Sequence, residues 1–256
     1  MKIALSLRIA ESLRRHTEEE PEIVVNGVRL TQAQAASVRV AVTSFRLELN
    51  AGGSEELGEI GPLYDARLAE VELLLVQEWS VRKARRFAEQ HHAGQTYNGG
   101  KDSYMVHLDA VHGVAKSVGL PEEFLTAAYL HDVLEDTPIT YAQLTDMFGK
   151  TVADLVEAVT GRGATRGARN GDAYHKIIEA GAPAALLKMC DRIVNAEFSN
   201  RLGRRGDASF FTLYLSEQPA FMGMIHKAML GATGEEARVF LVLRKRLEDV
   251  FGLRSP

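Results

Sequence analysis

The sequence predicts an all-α protein, a helical bundle with a small N-terminal appendage that contains a β-hairpin. Three observations predict it. From about Pro62 onward apolar residues recur at helical spacing almost without a break. Helix punctuation stands where such runs end, as at Gly119, Thr137-Pro138 and Phe148-Gly149. Only near the N-terminus does a strand-like run appear, Ile23 to Leu30, with Asn26-Gly27 at its centre.

Residues 1–60 form the appendage in this reading, and residues 61–256 the main domain. Asn26-Gly27 tolerates the positive φ angles of a tight hairpin turn. Thr31 then caps a helix running to about Leu49, with Val38, Val42, Phe45 and Leu49 on one face. Asn50 to Ser54 reads as a linker. Leu63 to Trp79 is a periodic run that extends through Ala84 to His92, and Gly94 to Lys101 is a loop. A helix from Ser103 to Val118 stops at Gly119. Pro121 opens the next, which carries Phe124, Ala128, His131, Asp132, Glu135 and Asp136. Thr140 starts a helix ending at Phe148-Gly149, and further helices are predicted over 151–160, 171–180, 183–197, 208–217, 219–230 and 235–250.

The 256 residues are 46% hydrophobic and 25% charged, with net charge −4, an ordinary soluble composition. This mild acidity speaks against a protein built to grip nucleic acid, yet leaves room for a small anionic substrate met by a few local cations. Cys190 is the single cysteine, which excludes an intrachain disulfide and fits a reducing, cytoplasmic setting. The N-terminal residues lack the apolar core of a secretory signal. No apolar run approaches the roughly 20 residues that cross a bilayer, so no membrane partner is expected.

His131-Asp132 followed by Glu135-Asp136 is the densest chemical feature. Three carboxylates beside a histidine repel one another unless a cation joins them. Imidazole and carboxylate donors without thiolate suit Mn, Fe, Zn or Mg, and oxygen-rich octahedral geometry points to Mn or Mg. One short stretch cannot saturate such an ion. His107 lies on the preceding helix, and Asp191 lies in Lys188-Met189-Cys190-Asp191-Arg192-Ile193-Val194-Asn195, which sets polar groups into an otherwise apolar helix.

The order His107, His131-Asp132, Asp191 resembles that of the HD superfamily of phosphohydrolases. Further motifs narrow the resemblance: Phe87-Ala88, His92-Ala93-Gly94-Gln95, Tyr104-Met105-Val106-His107, Ala127 through Thr137, Phe148-Gly149, Val159-Thr160 and Lys188 through Asn195. Over roughly residues 80–200 the chain is similar to the hydrolase domain of RelA/SpoT proteins and the small alarmone hydrolases. The resemblance implies an HD-domain helical bundle and a Mn-dependent hydrolase that removes the 3′-pyrophosphate of guanosine tetra- or pentaphosphate (ppGpp, pppGpp). It implies His107, His131, Asp132 and Asp191 as metal ligands, Glu135 and Asp136 as the residues that position and deprotonate water, and Asn195 near the nucleoside. No synthetase domain is visible, and the residues after the motif region are too few for one.

Cations for the phosphates are sought in Arg162, Arg166 and Arg169 of the Gly-rich segment 160–169, which otherwise reads as a solvated connection. Tyr174, Lys176 and Lys188 complete the substrate-binding candidates. One departure stands out. Alarmone hydrolases often carry an Arg-Lys pair where this chain has Tyr97-Asn98. Tyr97 offers a ring for stacking on a base. The departure keeps open another nucleotide substrate, such as NADPH or a deoxynucleotide, and a non-catalytic nucleotide sensor on the same fold.

Plainer roles are read for other residues. Arg192 is structural, His92 supports or packs, and His112, His175 and His226 are not ligands. Cys190 and the set Phe210, Phe211, Tyr214 and Phe221 read as core, and Lys83 to Arg86 as an exposed helix face. Residues 1–60 offer a surface for homo-oligomer contact, for covering the site or for another partner.

Overall fold

The computed structural model describes residues 23–25, 28–48, 68, 80–97, 100, 102–203 and 208–253. The chain divides into two compact units, residues 1–83 and 84–256. The Asn26-Gly27 turn, the linker at Asn50 to Ser54, the helical run from Leu63 to Trp79, the 60/61 boundary and Asn98 lie outside the described residues, apart from residue 68, which is helical.

In the first unit, β1 (Val24–Val25) pairs antiparallel with β2 (Val28–Arg29), Val25 opposite Val28. Helix α1 follows over Gln32–Glu48. Thr31 caps it: the Gln34 amide donates to Thr31 Oγ1 at 3.4 Å, and the Thr31 amide donates back to Gln34 Oε1 at 2.9 Å.

The second unit is helical, as the sequence predicts. It begins within α2 (helical over 80–91) and contains β3 (Thr96–Tyr97), β4 (Asp102–Ser103), α3 (Met105–Ser117), α4 (Glu122–Leu130), α5 (Val133–Asp136) and α6 (Tyr141–Phe148). Then come α7 (Lys150–Val159), α8 (Arg166–Ala180), α9 (Ala182–Gly203), α10 (Ser209–Ala228) and α11 (Gly234–Phe251). Gly119, at φ +78°, closes the connection after α3, and Thr140 with Gln143 forms a capping box at α6.

Helix α9 is the axis of this unit and touches α3, α4, α7, α8, α10 and α11. Its sequence explains this placement. Leu186, Leu187, Met189, Cys190 and Ile193 are apolar around the whole circumference and buried, each large side chain stabilising by roughly 1.5–3 kcal/mol. The exceptions, Lys188, Asp191, Arg192 and Asn195, follow the i, i+3, i+4, i+7 spacing of a single stripe.

Several expectations are corrected. The helix predicted to carry Phe124 through Asp136 is interrupted: α4 ends at Leu130, His131 and Asp132 turn, and α5 resumes at Val133. Gly94 to Lys101 is not all loop, since Thr96 pairs with Ser103 and Tyr97 with Asp102. The two helices predicted over 208–217 and 219–230 are one, α10, with Pro219 inside. Phe210 is 53% exposed rather than core, whereas Phe221 is fully buried. Nor is 83–86 a plain exposed face: Ala84 is buried, and Arg85 makes a two-pronged contact with Asp109 at 2.8 and 2.9 Å. Among the described residues no helix is long and apolar enough to cross a membrane.

Candidate metal centre

Three elements deliver the central cluster. His107 sits in the first turn of α3, His131 and Asp132 form the turn between α4 and α5, and Asp191 lies on the polar stripe of α9. Both histidines are buried, as is Asp191. His107 Nε2 and His131 Nε2 face each other at 3.3 Å. Asp132 Oδ2 lies 3.0 Å from His131 Nε2 and 3.6 Å from His107 Nε2. Asp191 Oδ1 lies 3.8 and 3.5 Å from the same two nitrogens. His107, His131 and Asp191 therefore converge, and Asp132 Oδ2 stands beside both imidazoles.

The helix break makes this possible. The Glu135 and Asp136 amides both donate to the Asp132 carbonyl, at 3.1 and 2.9 Å, so the chain re-forms a turn directly after the dyad. The break also lets His131 Nδ1 reach the Ala128 carbonyl at 2.9 Å. That bond places the ring proton on Nδ1 and leaves Nε2 bare towards the cluster, the arrangement of a metal-binding imidazole.

The electrostatics ask for a cation. Burial disfavours a charged His131, yet Asp132 and Asp191 push its pKa up to about 10. Burial likewise opposes ionisation of Asp132 and Asp191, but the neighbouring imidazoles, and Lys188 for Asp191, hold both carboxyls well below their ordinary range. A proton on His131 thus occupies the role that a divalent ion fills better. His107, His131 and Asp191 bring donor atoms within 4.8 Å of one another. Two imidazole nitrogens and two carboxylate oxygens around one centre fit Mn, Fe or Zn.

Glu135 and Asp136 flank this centre with different surroundings. Glu135 accepts from the Gly161 amide at 3.2 Å and lies 3.3 Å from Arg169 Nε. Burial, then the charges of Asp132 and Glu135, push Asp136 up to about 6. Gly161 is required for this contact, because a Cβ there would stand 2.5 Å from the Arg169 carbonyl oxygen.

The substrate candidates separate. Lys188 Nζ and Asn195 Nδ2 both hold Asp191, at 2.8 and 2.5 Å. Tyr97 lies beside His107, its hydroxyl on Asn195 Oδ1 at 3.0 Å. The segment predicted as a loop over 160–169 is helical from Arg166, so Arg166 and Arg169 stand in the first turn of α8; of Arg162, Arg166 and Arg169, Arg169 contacts a residue of the dyad segment. Arg162 is bound by Glu157, and Arg166 by Glu217 at 2.7 Å. Lys176 bridges Glu157, Asp172 and the Thr160 carbonyl. Tyr174 packs against Phe221.

Two residues with a stronger part than the sequence indicated are Tyr104 and Gln95. Tyr104 donates to Asp132 Oδ2 at 2.5 Å and reaches Asp136 Oδ2 at 3.4 Å. Gln95 Nε2 donates to the Asp136 carbonyl at 2.8 Å, and its Oε1 contacts His92 Nδ1 at 2.7 Å, with the His92 ring stacked on Tyr104. Both fall within the quoted motifs. The signal was their position, three residues before a presumed ligand in one case and three after His92 in the other.

The chain is similar to known proteins over part of its length. Residues 84–205, a little under half of the chain, match the family model of the HD domain. The bifunctional (p)ppGpp synthase/hydrolase SpoT of Escherichia coli K12 is 45% identical over 80 residues, 31% of this chain and 11% of that protein. A guanosine-3′,5′-bis(diphosphate) 3′-pyrophosphohydrolase of Aquifex aeolicus is 36% identical over 121 residues, 46% of this chain and 17% of that protein. The chain thus spans well under a fifth of the length of these relatives. Among solved structures, a metazoan ortholog of SpoT that hydrolyzes ppGpp superposes with a TM-score of 0.54 at 20% identity, covering 68% of this chain and 97% of that one. This last likeness bears on the fold.

Proposed function

We propose that the chain, whose residues 84–205 match the family model of the HD domain, is a metal-dependent phosphohydrolase of phosphorylated nucleotides, with ppGpp or pppGpp as substrate and the 3′-diphosphate as the group removed. The observation that carries this reading is the convergence of His107, His131, Asp132 and Asp191 with Glu135 and Asp136 beside them. The relatives named above support the choice of substrate.

His107, His131, Asp132 and Asp191 would hold the ion, with Mn2+ favoured by the mixed nitrogen and oxygen donors. When bound, a divalent ion polarises a phosphoryl oxygen and acidifies water. Asp136, pushed up to about 6, has the basicity of a general base at neutral pH and takes a proton from the attacking water. Glu135 is oriented by the Gly161 amide and Arg169 to fix that water. The water oxygen bonds to phosphorus, the bond to the 3′-oxygen breaks, and the 3′-oxygen leaves with a proton as a hydroxyl. Arg169, in the first turn of α8 and in contact with Glu135, suits contact with the diphosphate, whereas Arg162, Arg166 and Lys176 are engaged by their carboxylate partners. The buried, unpaired thiol of Cys190 and the nucleotide substrate suit a cytoplasmic location.

A second reading keeps the chemistry and changes the nucleotide. Tyr97-Asn98 stands where alarmone hydrolases often carry an Arg-Lys pair, and this departure supports a substrate other than a guanosine compound, such as NADPH or a deoxynucleotide. The test is a hydrolysis screen with added Mn2+ over ppGpp, nucleoside triphosphates and phosphorylated dinucleotides, with Asp132→Ala as control. Release of diphosphate from ppGpp, absent in the variant, is expected. Cleavage of another nucleotide with ppGpp at background selects the second reading, and a protein that binds nucleotide but turns over none selects a sensor.

A further inference from the structure

We infer that Tyr97 is a positioning residue of the metal centre, which aims the ligand oxygen of Asp191 through Asn195 and backs the ring of His107. The inference rests on the reading of these residues as ligands. Its starting point is the division of labour between the two oxygens of Asp191. Oδ2 is taken by Lys188 at 2.8 Å. Oδ1 is the oxygen that faces both histidines, and it also accepts from Asn195 Nδ2 at 2.5 Å. With Oδ2 turned to Lys188 and one lone pair of Oδ1 turned to Asn195, the other lone pair of Oδ1 is left for the histidine side, as in a single-oxygen ligand.

The orientation of Asn195 decides whether that hold exists. An ionised carboxylate only accepts, so the amide nitrogen of Asn195 must face Asp191 and the amide oxygen must face away. The group waiting there is the Tyr97 hydroxyl, which donates to Asn195 Oδ1 at 3.0 Å. The chain of donors runs one way: Tyr97 to Asn195 to Asp191. Tyr97 and Asn195 are both half-buried, and a phenol that loses this acceptor or an amide oxygen that loses this donor forfeits a hydrogen bond made inside the site, so each bond fixes the other.

The ring does separate work. Its centroid lies 5.0 Å from that of His107, with the planes 32° apart, and 4.6 Å from Phe198 on the other side. Tyr97 therefore touches a ligand from α3 directly and a ligand from α9 through one amide. Its own position is set by the pairing of Tyr97 with Asp102, two residues before Tyr104. The small β3–β4 hairpin in this way joins two helices around the site.

The test measures Mn2+ affinity of the metal-free full chain, following free Mn2+ by electron paramagnetic resonance. Tyr97→Phe keeps the ring and removes the donor; Asn195→Ala removes the relay. Each is expected to weaken Mn2+ binding about 10-fold, the lower end of what loss of a supporting partner costs a metal site. The double variant is expected to bind no more weakly than Asn195→Ala alone, because the two bonds form one chain. The nucleotide KM of Tyr97→Phe at saturating Mn2+ separates this role from a direct contact with substrate. Mn2+ affinity of Tyr97→Phe within twofold of the unmodified protein overturns the inference, and so do additive losses in the double variant. A raised KM at unchanged metal affinity assigns Tyr97 to the substrate instead. If Tyr97→Phe does not fold, unchanged affinity in Asn195→Ala is the overturning result. Failure of the unmodified protein to bind Mn2+, Fe2+ or Zn2+ would overturn the ligand reading itself, a different result from a bound metal that ignores Tyr97.

Discussion

Adjacent residues of α9, Asp191 and Arg192, enter two charge clusters that are balanced in opposite ways. Around Asp191 two carboxylates meet two imidazoles, and Lys188 is the permanent cation in contact. Around Arg192 one carboxylate, Glu217, meets two guanidinium groups, Arg192 at 3.0 Å and Arg166 at 2.7 Å. The second cluster absorbs its surplus locally, because the Arg192 guanidinium also lies over the rings of Phe221 and Tyr214, 4.5 and 4.9 Å from their centres. In the first, neutral donors from Tyr104 and Asn195 reach the carboxylates, and the remaining negative charge pushes His131 up to about 10. A polar stripe on a buried helix becomes a site where its charge is left unmet, and a structural clasp where it is met.

Breaking each cluster should therefore have different consequences. The largest effect is expected from Asp132→Ala, which removes an oxygen of the first cluster: Mn2+ affinity should fall more than about 100-fold, beyond the loss from supporting partners. Calorimetric titration measures this, and an unchanged affinity would remove Asp132 from the ligand set. Next comes Glu217→Ala. It strands Arg192, which is 5% exposed, and should cost roughly 3–5 kcal/mol of stability while leaving Mn2+ affinity within twofold. Denaturant unfolding reads the first quantity; a matching loss of metal affinity would show that the two clusters are one.

The smallest effect sharpens the comparison with a pair that is balanced but wet. Arg85 and Asp109 are each 41% exposed in their side chains. Burial alone would raise the Asp109 pKa, but Arg85 and Tyr129 outweigh it and hold the carboxyl below its ordinary value. A group so lowered stabilises above the unfolded carboxylate pKa of about 3.9 and loses that contribution as the pH falls through its folded value. Solvent screening limits it to about 0.5–1 kcal/mol. Asp109→Asn should lower the melting temperature slightly at pH 7, and the difference should close towards pH 2.

Much of this was legible in the sequence for a physical reason. Helix ends written in glycine and in Thr-x-x-Gln caps are local, and Gly119 and Thr140 stand where expected. The order of His107, His131-Asp132 and Asp191 is likewise carried by the chain itself, and the fold brings all four together. What could not be read is which partner each polar group finds once the chain is folded. Arg162 and Arg166 look free until Glu157 and Glu217 are seen beside them, the latter 51 residues away. The break at His131 carries no proline or glycine; it is a turn held by the Ala128 carbonyl and the dyad's own backbone. Pro219 gave the opposite error, since a proline that interrupts one hydrogen bond can stay inside a helix held by packing on both sides of it.

The single cysteine offers a consequence of another kind. Cys190 is fully buried directly before Asp191, and burial pushes its thiol up to about 12. A thiol reagent can reach it only when α9 opens, so the labelling rate of the unmodified protein reports the opening free energy of the helix that holds the site. A ligand that binds only the closed form slows that opening in proportion to 1 + [L]/Kd. The chain thus carries its own reporter of occupancy, one that gives affinities for metal and nucleotide without requiring that any substrate be turned over.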